Sequence, residues 1–147
     1  MKTAKALVVA LVAVVLSACA TAPGPKFSGL GAPKDGLGDI YLYRTDAFAA
    51  SGAGFEVMLD GKKVGDIYNA SYLHLQLAPG SYFLKVSPHA LAKSSELQIQ
   101  VEAGRRKFFQ YDFTSGPLYN PYFIGSSIEP REEALALNEL KNLNSAR

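Results

Sequence analysis

From Asp39 to Phe113 the chain alternates apolar and polar side chains in short runs broken by turn residues. Ile40 and Leu42 alternate with Tyr41 and Tyr43, and Phe55, Val57 and Leu59 alternate with Glu56 and Met58. A period of two sends successive side chains to opposite faces of an extended chain, so these runs predict strands. Asp60-Gly61 accepts positive φ and predicts a hairpin, with Lys62 to Ile67 as the returning strand. Leu73, Leu75 and Leu77 then face one way, and Tyr72, His74 and Gln76 the other. Pro79-Gly80 predicts the next tight turn, with Gly80 in the left-handed position. Tyr82, Leu84 and Val86 form the following inward set. Leu97, Ile99 and Val101 alternate with Glu96, Gln98 and Gln100 before Ala103-Gly104 turns the chain into Lys107 to Phe113. Strands this short and regular predict an antiparallel β-sandwich, and a small closed barrel satisfies the same pattern. No alternation reaches the ~9–11 residues of a membrane-barrel strand.

Beyond residue 113 the period changes. Phe123 to Ile128 predicts one more edge strand, giving seven or eight in all. Pro130 suits the first turn of a helix, where its missing N–H costs nothing. Arg131 to Leu143 follows, with Glu132 and Glu133 near the positive end of the helix dipole and Ala136, Leu137, Leu140 and Leu143 on one face. The expectation is a mainly β domain over residues 39–128, with a short C-terminal α-helix and tail over 129–147 packed on it.

The start of the chain follows neither period. Lys2 and Lys5 precede an unbroken run of Ala, Val and Leu from Ala6 to Leu16, and Ser17, Ala18 and Cys19 follow. The run has the length of a signal-peptide core and falls short of the ~20 residues of a spanning helix. Leu16-Ser17-Ala18-Cys19 resembles the lipobox of bacterial lipoproteins, at the place where such a box belongs. The resemblance implies removal of residues 1–18 by cleavage between Ala18 and Cys19, and lipid attachment to the Cys19 sulfur. Cys19 is the only cysteine in the chain. Ala20 follows it in place of the aspartate that resembles an inner-membrane retention signal, which implies the periplasmic face of the outer membrane. Residues 19–38 hold three prolines and five glycines without apolar periodicity, and so predict a flexible tether.

Composition narrows the function. The 147 residues are 48% hydrophobic and 19% charged, with formal charge +2, enough apolar mass for one folded domain. Loss of Lys2 and Lys5 with the signal leaves 13 basic and 13 acidic side chains. A neutral product argues against nucleic-acid binding, which calls for an excess of clustered Lys and Arg, and leaves membrane lipid, through the acyl chains, as the holding partner. A single cysteine excludes an internal disulfide framework.

The succession Ile40-Tyr41-Leu42-Tyr43-Arg44, Leu59-Asp60-Gly61-Lys62-Lys63-Val64-Gly65, Leu77-Ala78-Pro79-Gly80-Ser81-Tyr82 and Ala103-Gly104-Arg105 resembles an uncharacterised family of small bacterial lipoproteins. That family is grouped as a domain of unknown function, and the likeness covers about residues 38–113. The chain is similar, more loosely, to prealbumin-like sandwiches such as carboxypeptidase regulatory domains and PEGA repeats. These resemblances imply a non-catalytic surface module and carry over no catalytic residue.

Candidate chemistry is sparse. His74, on the polar face of a strand, and His89, after Pro88, both read as surface side chains. Asp35, Asp39, Asp46, Asp60 and Asp66 form no metal-ligand spacing, and Ser94 and Ser95 lie in no nucleophile elbow. No catalytic, cofactor or metal residue is assigned. The chain has eight tyrosines and eight phenylalanines. Tyr41, Tyr43, Tyr72 and Phe83 fall opposite the aliphatic sets and form the candidate surface for an envelope protein partner. In the competing arrangement, which we favour, the C-terminal helix and Tyr119 to Phe123 cover that face. The function expected is therefore a lipid-anchored, non-catalytic envelope module for binding or structural support. The alternatives are an envelope enzyme or accessory subunit acting on peptidoglycan or glycan, and a subunit of a secretion or efflux assembly.

Overall fold

The computed structural model of the chain describes residues 22–48, 50–88, 93–115 and 124–147. The signal segment, Cys19, His89 and Tyr119 to Phe123 lie outside the described residues. Among the described residues, nine strands and one helix follow in order: β1 (Gly38–Arg44), β2 (Phe55–Leu59), β3 (Lys62–Ile67), β4 (Ser71–Leu77), β5 (Gly80–Ser87), β6 (Ser95–Val101), β7 (Arg106–Ser115), β8 (Ile124–Arg131), α1 (Glu133–Leu140) and β9 (Asn144–Ser145). They form two sheets, β8-β7-β1-β4-β9 and β3-β2-β5-β6.

The inward positions of both sheets build one core. Ile40 and Leu42 of β1, Leu73 and Leu75 of β4, and Phe109 and Tyr111 of β7 meet Phe55 and Val57 of β2, Leu84 and Val86 of β5, and Ile99 and Val101 of β6. Each buried aliphatic side chain contributes about 1.5–3 kcal/mol of transfer free energy, so this set supplies the main driving force for closing the sandwich. At the β2–β3 hairpin Asp60 and Gly61 have φ of 47° and 76°, the mirror-image turn that matches strand twist.

Four expectations need correction. First, the sheets are not wholly antiparallel: β1 pairs parallel with β7, and β4 parallel with β9. A parallel pair needs a long connection, and between β1 and β7 the chain builds the entire opposite sheet. Period-two alternation reports the face of a residue and carries no strand direction. Second, Pro130 sits in β8 opposite Phe109, and α1 starts at Glu133. β8 lies at a sheet edge, where a residue without an N–H is tolerated. Third, Gly80 opens β5 opposite Val101 and is absent from the positive-φ positions, so Ala78 and Pro79 make that turn. Fourth, a part of the expected tether is docked. Gly24 donates to Ser145 O at 2.9 Å, Ser145 donates to Pro25 O at 2.8 Å, and Phe27 donates to Leu143 O at 2.9 Å. A Cβ at Gly24 would run into Arg147 O and Ser145, so this glycine permits close backbone approach where its composition suggested flexibility. We call residues 22–31 the strap.

Strand direction gives the sandwich two unlike ends. The connections around Asp60-Gly61, Ala78-Pro79 and Glu102–Arg105 are tight and share one end with Gly38. The other end carries the longer β1–β2 loop, the β3–β4 turn and Asn144, since Arg44 lies opposite Ser71 and Ser71 beside Asn144.

Candidate functional site

The outer face of the five-stranded sheet holds the chemistry. Residues 39, 41 and 43 alternate away from the core on β1, the middle strand, and register brings a row of side chains to each. Arg106 and Gln76 flank Asp39, Phe108 and His74 flank Tyr41, and Gln110 and Tyr72 flank Tyr43.

The first row is polar and built around a buried acid. The Asp39 side chain is 1% exposed. Its Oδ1 is 2.8 Å from His74 Nε2 and accepts from Gln76 Nε2 at 3.0 Å. Its Oδ2 faces Arg106 Nε at 3.7 Å, an ion pair that lacks a hydrogen bond. Arg106 Nη2 also donates to Gly31 O at 3.0 Å, so the same guanidinium that neutralises Asp39 pins the strap. A buried carboxylate persists only with such partners.

The second and third rows are aromatic. Tyr41 stacks on His74 with ring centroids 4.3 Å apart and on Phe108 at 5.3 Å, and Phe27 of the strap meets Tyr41 and Tyr72 edge-on. Ala136 and Leu140 of α1, followed by Leu143, close over Tyr41, Tyr43 and Phe108 to form a second core. The helix alone is too short to persist without this contact. Burial, then the Asp39 charge, pushes the Tyr41 hydroxyl pKa up against the opposing pull of Arg106.

Tyr43 ties the helix down by donating its hydroxyl to Glu139. Burial first, and then this carboxylate, raise the Tyr43 pKa well above its ordinary value of 10. The folded chain thus keeps a proton where an unfolded tyrosine has lost it, so this stabilisation is complete below pH 10 and is lost as pH rises further. Tyr43→Phe is expected to cost about 1–2 kcal/mol at neutral pH, the range for a hydrogen bond to a partly solvated charged group. Urea midpoints on both sides of pH 10 should fall with pH less steeply in the variant than in the wild type. A residual slope is expected from Tyr41 and Tyr111, whose pKa values burial also raises. Parallel slopes for the two chains would show that Tyr43 does not couple stability to pH.

The four residues expected as a partner surface separate. Tyr41 and Tyr43 are 2% and 0% exposed, which corrects their place in a partner surface and agrees with the favoured covered arrangement as far as the helix is concerned, with the strap as a second cover. Tyr72 is partly buried beneath Phe27, and Phe83, on the other sheet, is 51% exposed. His74 is likewise no free surface side chain, being bonded to Asp39 and stacked on Tyr41. Sequence reasoning missed the Asp39 cluster because its members come from three strands. The available signal was that Asp39 shares the face of Tyr41, as Gln76 shares that of His74. No Ser, Thr or Cys hydrogen-bonds His74 among the described residues, and no group of three or more His, Cys, Asp and Glu could hold a metal there.

Fold and site together define a two-sheet β module whose outer sheet face is occupied by its own helix and strap. The chain belongs to the family of proteins of unknown function DUF2846, whose model matches residues 34–126. The match begins ahead of β1 and ends early in β8, so the strap, α1 and β9 lie outside it. No curated protein and no solved structure matches the chain.

Proposed function

We propose that the chain is a lipid-anchored module of the bacterial cell envelope. In this reading an acylated Cys19 holds it at the periplasmic face of the outer membrane, and it acts there by binding or structural support without catalysis. The observation that carries the reading is Leu16-Ser17-Ala18-Cys19, a lipobox built on the only cysteine and placed directly after a signal-type apolar run. Each acyl methylene buried in the bilayer contributes about 0.8 kcal/mol, so two or three chains hold a neutral protein without help from surface charge. The non-catalytic part is supported by the Asp39 cluster, whose Oδ1 is committed to His74 and Gln76 of β4 and whose Oδ2 is paired in charge with Arg106 of β7. Of the four residues expected as a partner surface, Phe83, half exposed on the four-stranded sheet, is the most available to an envelope protein partner.

Cys19→Ser removes the thiol that the lipid requires. The variant is expected to retain residues 1–18 and to carry no acyl chain, so that it stays at the membrane only through its uncleaved apolar run, read by the mass of the product and by fractionation. A variant that stays in the membrane and is processed normally would overturn the proposal.

A further inference from the structure

Phe48 is 99% exposed, the most exposed large hydrophobic side chain among the described residues. A single exposed apolar residue is ordinary and by itself identifies nothing. Two further observations separate Phe48 from that background.

The first is that its loop is held in place. Arg44, buried at the end of β1 and lying 5.1 Å over the Phe55 ring, donates through Nη1 and Nη2 to Ala50 O at 3.3 and 3.2 Å. Ala47 N–H donates to Asn69 Oδ1 at 3.0 Å, and Asn69 Nδ2 donates to Asp46 Oδ1. Ser51 and Ala53 donate back to Phe48 O and Ala50 O. Both shoulders are therefore fixed while the ring between them is left in water, and no charged side chain occurs from Ala47 to Phe55.

The second is the position of the anchor. Ala22, the first described residue, lines a cavity of about 380 Å³ together with Asp46, Ser51, Gly52 and Asn69. The strap thus delivers the N-terminal direction of the chain to the same end of the sandwich, against the loop that presents Phe48. Cys19 lies three residues before Ala22, and three residues span at most about 10 Å. Acyl chains on Cys19 would hold the bilayer surface within about that distance of Ala22, across one cavity from the loop.

We propose that Phe48, flanked by Ala47 and Ser51 to Ala53, is a second membrane contact that inserts into the leaflet carrying the Cys19 lipid and fixes the orientation of the sandwich on it. The inference rests on the lipid-anchor reading above. An aromatic side chain on the charge-free stretch from Ala47 to Phe55 suits the boundary between headgroups and acyl chains, and a product with zero formal net charge draws little overall attraction from anionic headgroups.

The chain has no tryptophan, so Phe48→Trp places a unique reporter at the tip. The full lipidated variant, purified in detergent, is reconstituted into vesicles of phosphatidylethanolamine and phosphatidylglycerol. Emission from the introduced indole is expected to shift to the blue and to be quenched by lipids brominated on their acyl chains. Phe83→Trp, on β5 beside Asp60 at the opposite end, should stay at the aqueous wavelength and be quenched by acrylamide. The mass of the N-terminal peptide and flotation with the vesicles are measured on the same samples. An acylated, floating Phe48→Trp protein whose indole still emits at the aqueous wavelength overturns the loop contact and leaves the anchor standing. An unacylated Cys19 overturns both.

Discussion

Leu42→Ala is expected to lower the unfolding free energy by about 3–5 kcal/mol, the upper part of the range for buried leucine truncations. Leu42 is fully buried, with Leu73 of β4 and Phe109 of β7 opposite it in register. Its removal forfeits the transfer energy of the lost carbons and leaves a cavity. β1 is hydrogen-bonded on both sides as the middle strand of its sheet, so its backbone cannot move inward to fill the space. Domains of this kind are stable by about 5–15 kcal/mol, so the loss is a large share of the total. Urea unfolding should show a lower midpoint with an unchanged slope. Leu135→Ala on the exposed side of α1 should stay within about 0.5 kcal/mol of the wild type. A loss under about 1.5 kcal/mol for Leu42→Ala would mean that the sheet interior collapses around the cavity, contrary to a rigid middle strand.

The two faces of β1 differ in how far the sequence discloses them. Ile40 and Leu42 are legible as core because an aliphatic side chain on an alternating strand has one destination in a sandwich. Tyr41 and Tyr43 are not, because the same alternation leaves an aromatic outer face either bare or covered. What decides is the packing of α1 and the strap, elements distant along the chain that carry no local mark of their target. Gly24 shows the same limit. Composition reads it as flexibility, whereas its contacts with Ser145 and Arg147 require the missing side chain for close approach. Pro130 is ambiguous in sequence because a helix start and an edge strand both tolerate a residue without an N–H, and only pairing with Phe109 distinguishes them. Asp39 reads in sequence as a boundary residue. Its meaning comes from the register that sets Gln76 and Arg106 beside it, and register across separate connections is set by the whole fold.

Asp39→Ala is expected to cost about 2–3 kcal/mol, less than the truncation of Leu42 but through a different mechanism. The substitution removes the acceptor of the His74 and Gln76 bonds and the counter-charge of Arg106. Removing one member of a fully buried pair costs about 3–5 kcal/mol. Here the His74 and Arg106 side chains are 31% and 27% exposed, so water recovers part of that loss. Asp39→Asn, which keeps the shape and gives up the charge, should cost less, about 1 kcal/mol. A double-mutant cycle between Asp39 and His74 should show a coupling of at least about 0.5 kcal/mol, as expected for residues in one network. The sign of the effect also separates two readings of the cluster. Acids held for chemistry are commonly kept in environments that disfavour them, and their replacement tends to stabilise the fold. An acid held to join three strands and pin the strap through Arg106 destabilises the fold when lost. A more stable Asp39→Ala chain would favour the enzyme reading over the structural one, and a loss of the stated size supports an Asp39 whose partners are spent on holding β1, β4 and β7 together.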